Sequence, residues 1–172
     1  MFRYLSIFLI LQTGLFIAEM TQSIQSAMII PFTENIAHFC AWLIKLFDES
    51  AVSQGIVLRS LENGFAVAIE AGCNGVEASL ILTAAMLAFP TSWIFKLFGI
   101  LAGFLAVQVF NIARIISLFY LGQWNLEVFE WAHLYVWQAL IMLDVLIVFL
   151  LWLRYLSRHN IKEGSNHATE PG

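Results

Sequence analysis

Charge is scarce in this sequence. Only 12% of its 172 residues are Asp, Glu, Lys or Arg, against about 25% in an ordinary soluble domain. So thin a supply cannot clothe the chain in a water-facing surface. No basic patch or stripe is present, which argues against nucleic acid as a partner, and the net charge of −4 points to no partner at all. Cysteine is nearly absent: Cys40 and Cys73 are the only two, too few for a disulfide framework. The chain has no Cys-x-x-Cys pair and no His/Cys cluster at zinc spacing. Nothing therefore implies a structural metal. Internal repeats and a second domain are missing as well.

Apolar residues fill the space, at 60% of the chain with a mean hydropathy of +0.82. That composition specifies an all-α polytopic membrane protein. The sequence predicts about four transmembrane helices, an amphipathic outer-face helix and a small β-hairpin. Residues Tyr4 to Ala18 are apolar between Arg3 and Glu19. Their small-x-small cleavage pattern is poor and more spans follow, so they read as a retained first span rather than a signal peptide. From Pro31 to Phe47, Glu34, His38, Ala41, Lys45 and Asp48 mark one helix face while Ile36, Phe39, Cys40, Leu43 and Phe47 fill the other. This is an amphipathic helix lying in the outer interface or docked on the bundle, with a true span as the alternative. In Gln54 to Glu70, Ile56 and Leu58, then Phe65, Val67 and Ile69, alternate with their neighbours around Glu62-Asn63-Gly64. Asn-Gly is a strong hairpin signal, and open strands must lie in water or be covered.

Three further spans are expected: Cys73 to Phe89, broken at Pro90; Lys96 to Leu121; and, after a loop from Gly122 to Ala132, His133 to Tyr155. Residues 1–156 form one membrane-embedded domain, and Ser157 to Gly172 a polar, disordered cytoplasmic tail. Arg3, Lys96, Arg154, Arg158 and Lys162 fall on one side, Lys45 and Arg59 on the other. The positive-inside rule makes the first side cytoplasmic.

That topology brings three chemically capable residues to one depth near the outer face. Cys73 lies in Glu70-Ala71-Gly72-Cys73-Asn74-Gly75-Val76-Glu77, a polar knot opening into an apolar run. At the start of a helix and near a cation, its thiol would be activated; alternatively it is a small apolar residue at an interface. Arg114 lies inside a span, where an arginine costs at least ~2.5–3.5 kcal/mol on insertion scales. It suits a thiolate or an oxyanion; alternatively it pairs with Glu77, Glu127 or Glu130. Asn111, one turn earlier, is placed to hydrogen-bond it. His133 is a general acid or base by its range of titration, or a polar anchor. Glu77, four residues after Cys73, would stack above it and orient Arg114 or a substrate amide, or serve the helix dipole. Asp144 lies below His133 and faces the bundle interior without assigned chemistry. Trp93, Trp124, Trp131, Trp137 and Trp152 read as interface anchors.

Cys73-Asn74-Gly75, then Asn111-Ile112-Ala113-Arg114-Ile115, then His133, resemble the Cys-x-Gly, Asn-x-x-Arg-Ile and late-His pattern of the exosortase/archaeosortase family. The likeness covers roughly Ile56 to Tyr155 and is greatest to the compact exosortase H branch. Asn74 stands where many members carry Ser, and many members have about eight spans. The resemblance implies a cysteine protease or transpeptidase, without cofactor, in the bacterial inner membrane with its site facing outward. Its partners would be exported proteins that end in a short motif, a transmembrane helix and a basic cluster, beside membrane lipids. It also implies the roles: Cys73 as nucleophile, Arg114 on the thiolate or oxyanion, and His133 as proton donor to the leaving amine. Two other classes compete. A non-enzymatic transporter subunit would use Arg114 and Asp144 as pathway charges. A lipid-modifying enzyme would grip a phosphate with Arg114 and His133 and has no need of Cys73.

Overall fold

The computed structural model describes residues 2–167, with side chains through 159. It is mostly helical (77%) with one small sheet. Helix α1 (Phe2–Glu19) packs along α4 (Val76–Ala88). The Tyr4 hydroxyl donates to the Ala85 carbonyl at 3.4 Å and its ring meets Phe89 edge-on, so the two helices run antiparallel. Helix α5 (Trp93–Trp124) returns beside α4. A short α6 (Leu126–Trp131), a π turn (Ala132–Val136) and α7 (Trp137–His167) then run back along it. The helix of α7 thus continues past residue 157, where the sequence places a polar tail; the last part of that tail, 168–172, lies outside the described residues.

Between α1 and the sheet lie α2 (Gln22–Ile24), a π turn (Gln25–Ile29) and α3 (Ile30–Lys45). Pro31 has no N–H to give the preceding turn, and the helix widens just before it. Phe32 meets Phe104, about a third of the way along α5. Beyond it, Ile36, Ala37, Cys40, Ala41 and Ile44 pack on Ala51, Leu58 and Ile69 of the sheet and on Ile115 and Phe119 of α5. The amphipathic helix is therefore docked on one end of the bundle, and Cys40 is buried on its apolar side as its period requires.

Among the described residues, four helical stretches are long and apolar enough to cross a membrane: Phe2–Glu19, Gln22–Lys45, Trp93–Trp124 and Leu126–His159. The number matches the sequence reading but one member differs. Gln22–Lys45 qualifies by length and composition, whereas Val76–Ala88, with 13 residues, does not. At 1.5 Å per residue α4 covers only about 20 Å of a hydrocarbon core about 30 Å thick. The chain is a multi-pass membrane protein, and its lipid-facing sides remain apolar: Leu97, Leu101 and Leu105 on α5, and Leu143, Ile147 and Leu150 on α7 are exposed.

The hairpin proves to be a three-stranded antiparallel sheet, β1 (Ala51–Gln54), β2 (Val57–Ser60) and β3 (Ala66–Ala68), in sequence order. The Asn-Gly turn joins β2 to β3 as expected. The extra strand β1 folds back through Gly55, a second turn that the residue pattern does not mark. Phe65 lies against Gly122 of α5, where any Cβ would collide with its ring. Asn63 Nδ2 donates to Gln123 Oε1 at 2.7 Å beside it. These contacts fasten the sheet to the end of α5.

Residues 122–132 are not a loop. One residue, Asn125, separates α5 from α6. Its side-chain oxygen accepts from the Glu127 and Val128 amides at 2.8 and 3.2 Å, which restarts the helix at once. Trp152 also departs from expectation. It is buried, and its Nε1–H donates to the Phe95 carbonyl at 3.0 Å; Trp93, Trp124 and Trp131 are exposed as anchors require.

Candidate active site

Two glycines shape the turn that carries the thiol. Gly72 and Gly75 have φ of +82° and +76°, a region that costs a residue with a Cβ roughly 1–2 kcal/mol. Cys73 sits between them, its N–H donating to the Glu70 carbonyl at 2.9 Å. A positive φ at Gly75 cannot belong to a right-handed helix, so α4 begins at Val76 and not at Cys73. The Val76 N–H is taken by Asn74 Oδ1 at 3.0 Å, so this helix-end amide caps onto Asn74 rather than serving the sulfur. With Cys73 off the helix, Glu77 does not stack above it. Its carboxylate reaches back and accepts the Gly72 N–H instead.

Arg114 closes on the same turn from α5. It is buried to 2% exposure. Its Nη1 donates to the Gly72 carbonyl at 3.1 Å and its Nη2 to Cys73 Sγ at 3.6 Å. The hydrogen bonds of the guanidinium thus go to a carbonyl and a sulfur, not to Glu77, Glu127 or Glu130. The Gly72–Cys73 backbone is held on both sides, by Glu77 at the amide and Arg114 at the carbonyl. Asn111 does not assist Arg114. Its amide is fully buried with neither atom hydrogen-bonded; it packs under Gly75, where a Cβ would stand 3.2 Å from its Cγ. Gln108, also buried with an unpaired amide, closes the same wall.

His133 arrives from the π turn between α6 and α7, a local widening often found at functional sites. Its Nε2 lies 3.7 Å from Cys73 Sγ. The ring is stacked on Phe129 at 5.7 Å, while Nδ1 has no hydrogen-bond partner. The orienting contact is therefore an aromatic face from one turn earlier. A groove of about 180 Å³ lies beside the turn between α4 and α7, lined by Gly72, Gly75, Glu77, Ile81, Gln138 and Ile141 among others.

Burial pushes the Cys73 thiol above its ordinary value. The Arg114 guanidinium pulls it down, and the Glu77 and Glu70 carboxylates push it further up. Burial wins, so the resting sulfur is a protonated thiol at neutral pH and becomes thiolate only as pH rises. Alkylation of Cys73 is expected to reach half its maximum at a pH above the ordinary thiol range. Glu77→Gln removes one upward push yet keeps an oxygen for the Gly72 N–H, so the midpoint moves down. A pH series of alkylation read by mass spectrometry checks both; a wild-type midpoint at or below the ordinary range contradicts the assignment.

The three residues singled out in the sequence thus meet at one sulfur, from the turn before α4, from α5 and from the π turn. A family model described as transmembrane exosortase matches residues 3–157. The chain belongs to the transmembrane exosortase family. No curated protein and no solved structure matches it. The match to the exosortase model takes in every element from α1 into α7. In this exosortase Asn74, known from the sequence only as a motif position, is joined at 3.1 Å to Thr33 on α3, a residue that the sequence reading does not single out. An Asn shortly before an apolar run is a capping signal; no local pattern links it to a threonine 41 positions away.

Proposed function

We propose that this exosortase is a membrane cysteine peptidase or transpeptidase acting on the C-terminal sorting signals of exported proteins. One observation carries the reading: a single sulfur stands 3.6 Å from a buried guanidinium nitrogen and 3.7 Å from an imidazole nitrogen. In the proposed reaction His133 Nε2 takes the thiol proton as Cys73 Sγ attacks the scissile carbonyl. An S–C bond forms, and the carbonyl electron pair moves to oxygen. Arg114 Nη2, freed from the sulfur as the new bond forms, donates to that oxyanion. The oxyanion collapses, the C–N bond breaks, and His133 returns the proton to the leaving amine. The thioester then passes to water or to an amine.

This reading treats 1–156 as one catalytic membrane domain whose site faces the exterior of the inner membrane. The substrate's apolar segment lies beside α4, α5 and α7, and the α4–α7 groove receives the residues around the scissile bond. A lipid-modifying site built on Arg114 and His133 leaves the sulfur between them without a task. In whole cells, a membrane-impermeant maleimide is expected to label Cys73 from the periplasmic side after outer-membrane permeabilisation. Labelling only in inverted vesicles overturns the orientation. Processing of a co-expressed substrate with and without Cys73 tests the chemistry.

A further inference from the structure

The cysteine turn is gripped on a third side by α3, and the polarity of that grip is forced. The Val76 N–H can only donate, so the atom of Asn74 facing it at 3.0 Å is the oxygen. The Asn74 nitrogen then faces Thr33 Oγ1 at 3.1 Å, and the hydroxyl oxygen must accept. Its one proton goes to the Ile29 carbonyl at 2.8 Å, at the end of the π turn. Donors and acceptors run in one order from α4 through the turn to α3, with Asn74 and Thr33 at 1% and 3% exposure. A buried polar group costs free energy unless it is satisfied, so this chain of bonds has one arrangement. Asn74 is the next residue after the thiol. Its side chain bonds to α3, while Cys73 Sγ lies against Arg114 of α5 and His133.

We propose that Thr33 and Asn74 are positioning residues for Cys73: the α3 hydroxyl, through the Asn74 amide, holds the thiol at its distances from Arg114 and His133. Neither side chain touches the reacting atoms. α3 thereby acts as a brace for the site as well as a cover for the sheet. The kinetic part of this inference rests on the peptidase reading; the thiol part does not.

Thr33→Val keeps the shape and loses the hydrogen bonds, Thr33→Ser keeps the hydroxyl, and Asn74→Asp still accepts the Val76 N–H but gives nothing to Thr33. In the full chain reconstituted in nanodiscs, alkylation of Cys73 by a small neutral reagent is followed by mass spectrometry, at a pH where the thiol is ionised in every variant. Thr33→Val and Asn74→Asp are expected to alkylate at least threefold faster, because the half-buried sulfur leaves its seat, and Thr33→Ser at the wild-type rate. On a cleavable substrate, Thr33→Val is expected to lose about tenfold in kcat with KM within twofold, and Thr33→Ser to recover it. Wild-type alkylation rates in both Thr33→Val and Asn74→Asp overturn the proposal, as does a Thr33→Ser variant indistinguishable from Thr33→Val. Should Thr33→Val fail to insert, Asn74→Asp decides alone. Should the wild type cleave no substrate while the alkylation pattern holds, the peptidase reading fails and the brace stands.

Discussion

Cys73→Ala is expected to abolish processing of a co-expressed substrate that carries a C-terminal sorting signal, with the variant still inserted in the membrane at wild-type level. The loss is at least about 10³-fold, the scale seen when a covalent nucleophile is removed and only binding and oxyanion contacts remain. Insertion survives because the backbone of the turn does not depend on the Cys73 side chain. The turn is set by Gly72 and Gly75 and fastened by Glu77, Arg114 and Asn74. Cys73→Ser is expected to be equally inactive. A hydroxyl is far harder to ionise than a thiol, and His133 lacks a hydrogen-bonded partner at Nδ1 to strengthen it as a base. Immunoblotting of precursor and product against an insertion control measures both. Processing retained by the alanine variant ends the nucleophile assignment.

Arg114→Lys is expected to cost about 10²–10³-fold in turnover, the scale of losing one oxyanion donor. The two nitrogens of the fork now divide their work: one holds the Gly72 carbonyl and the other points at the sulfur. A lysine ammonium keeps the charge but is a single point, and cannot hold the planar pair of directions. It must either leave the turn or leave the sulfur. The effect is expected in kcat more than in KM, since the nitrogen at Sγ is the one required on the oxyanion. Near-normal turnover in Arg114→Lys would make the charge alone sufficient and the fork structural.

Much of this arrangement was legible because membrane physics makes polar residues conspicuous. Arg114 stands out against apolar neighbours, and Cys73 sits in a polar knot at the mouth of an apolar run. The departures come from features with no periodic signal. A positive φ at Gly75 makes the helix start at Val76, three residues after Cys73, so Cys73 and Glu77 do not share a helix face. Asn125 restarts a helix within one residue, where Asn and two glutamates read as a loop. Asn111, placed by the sequence to hydrogen-bond Arg114, is buried with its amide against the underside of Gly75 instead. Contacts such as Thr33 with Asn74 join distant segments through single side chains, and only the folded chain displays them.

The shortness of α4 is absorbed within the protein. Lys96 Nζ donates to the Leu87 carbonyl at the helix's far end, which ties that end to the start of α5 at the opposite interface. From there the helix rises only about 20 Å, some 10 Å less than a hydrocarbon core is thick. No residue of α4 is exposed, however: α1, α5 and α7 pack around it, so the missing length is screened from lipid by the neighbouring helices rather than met by a deformed bilayer.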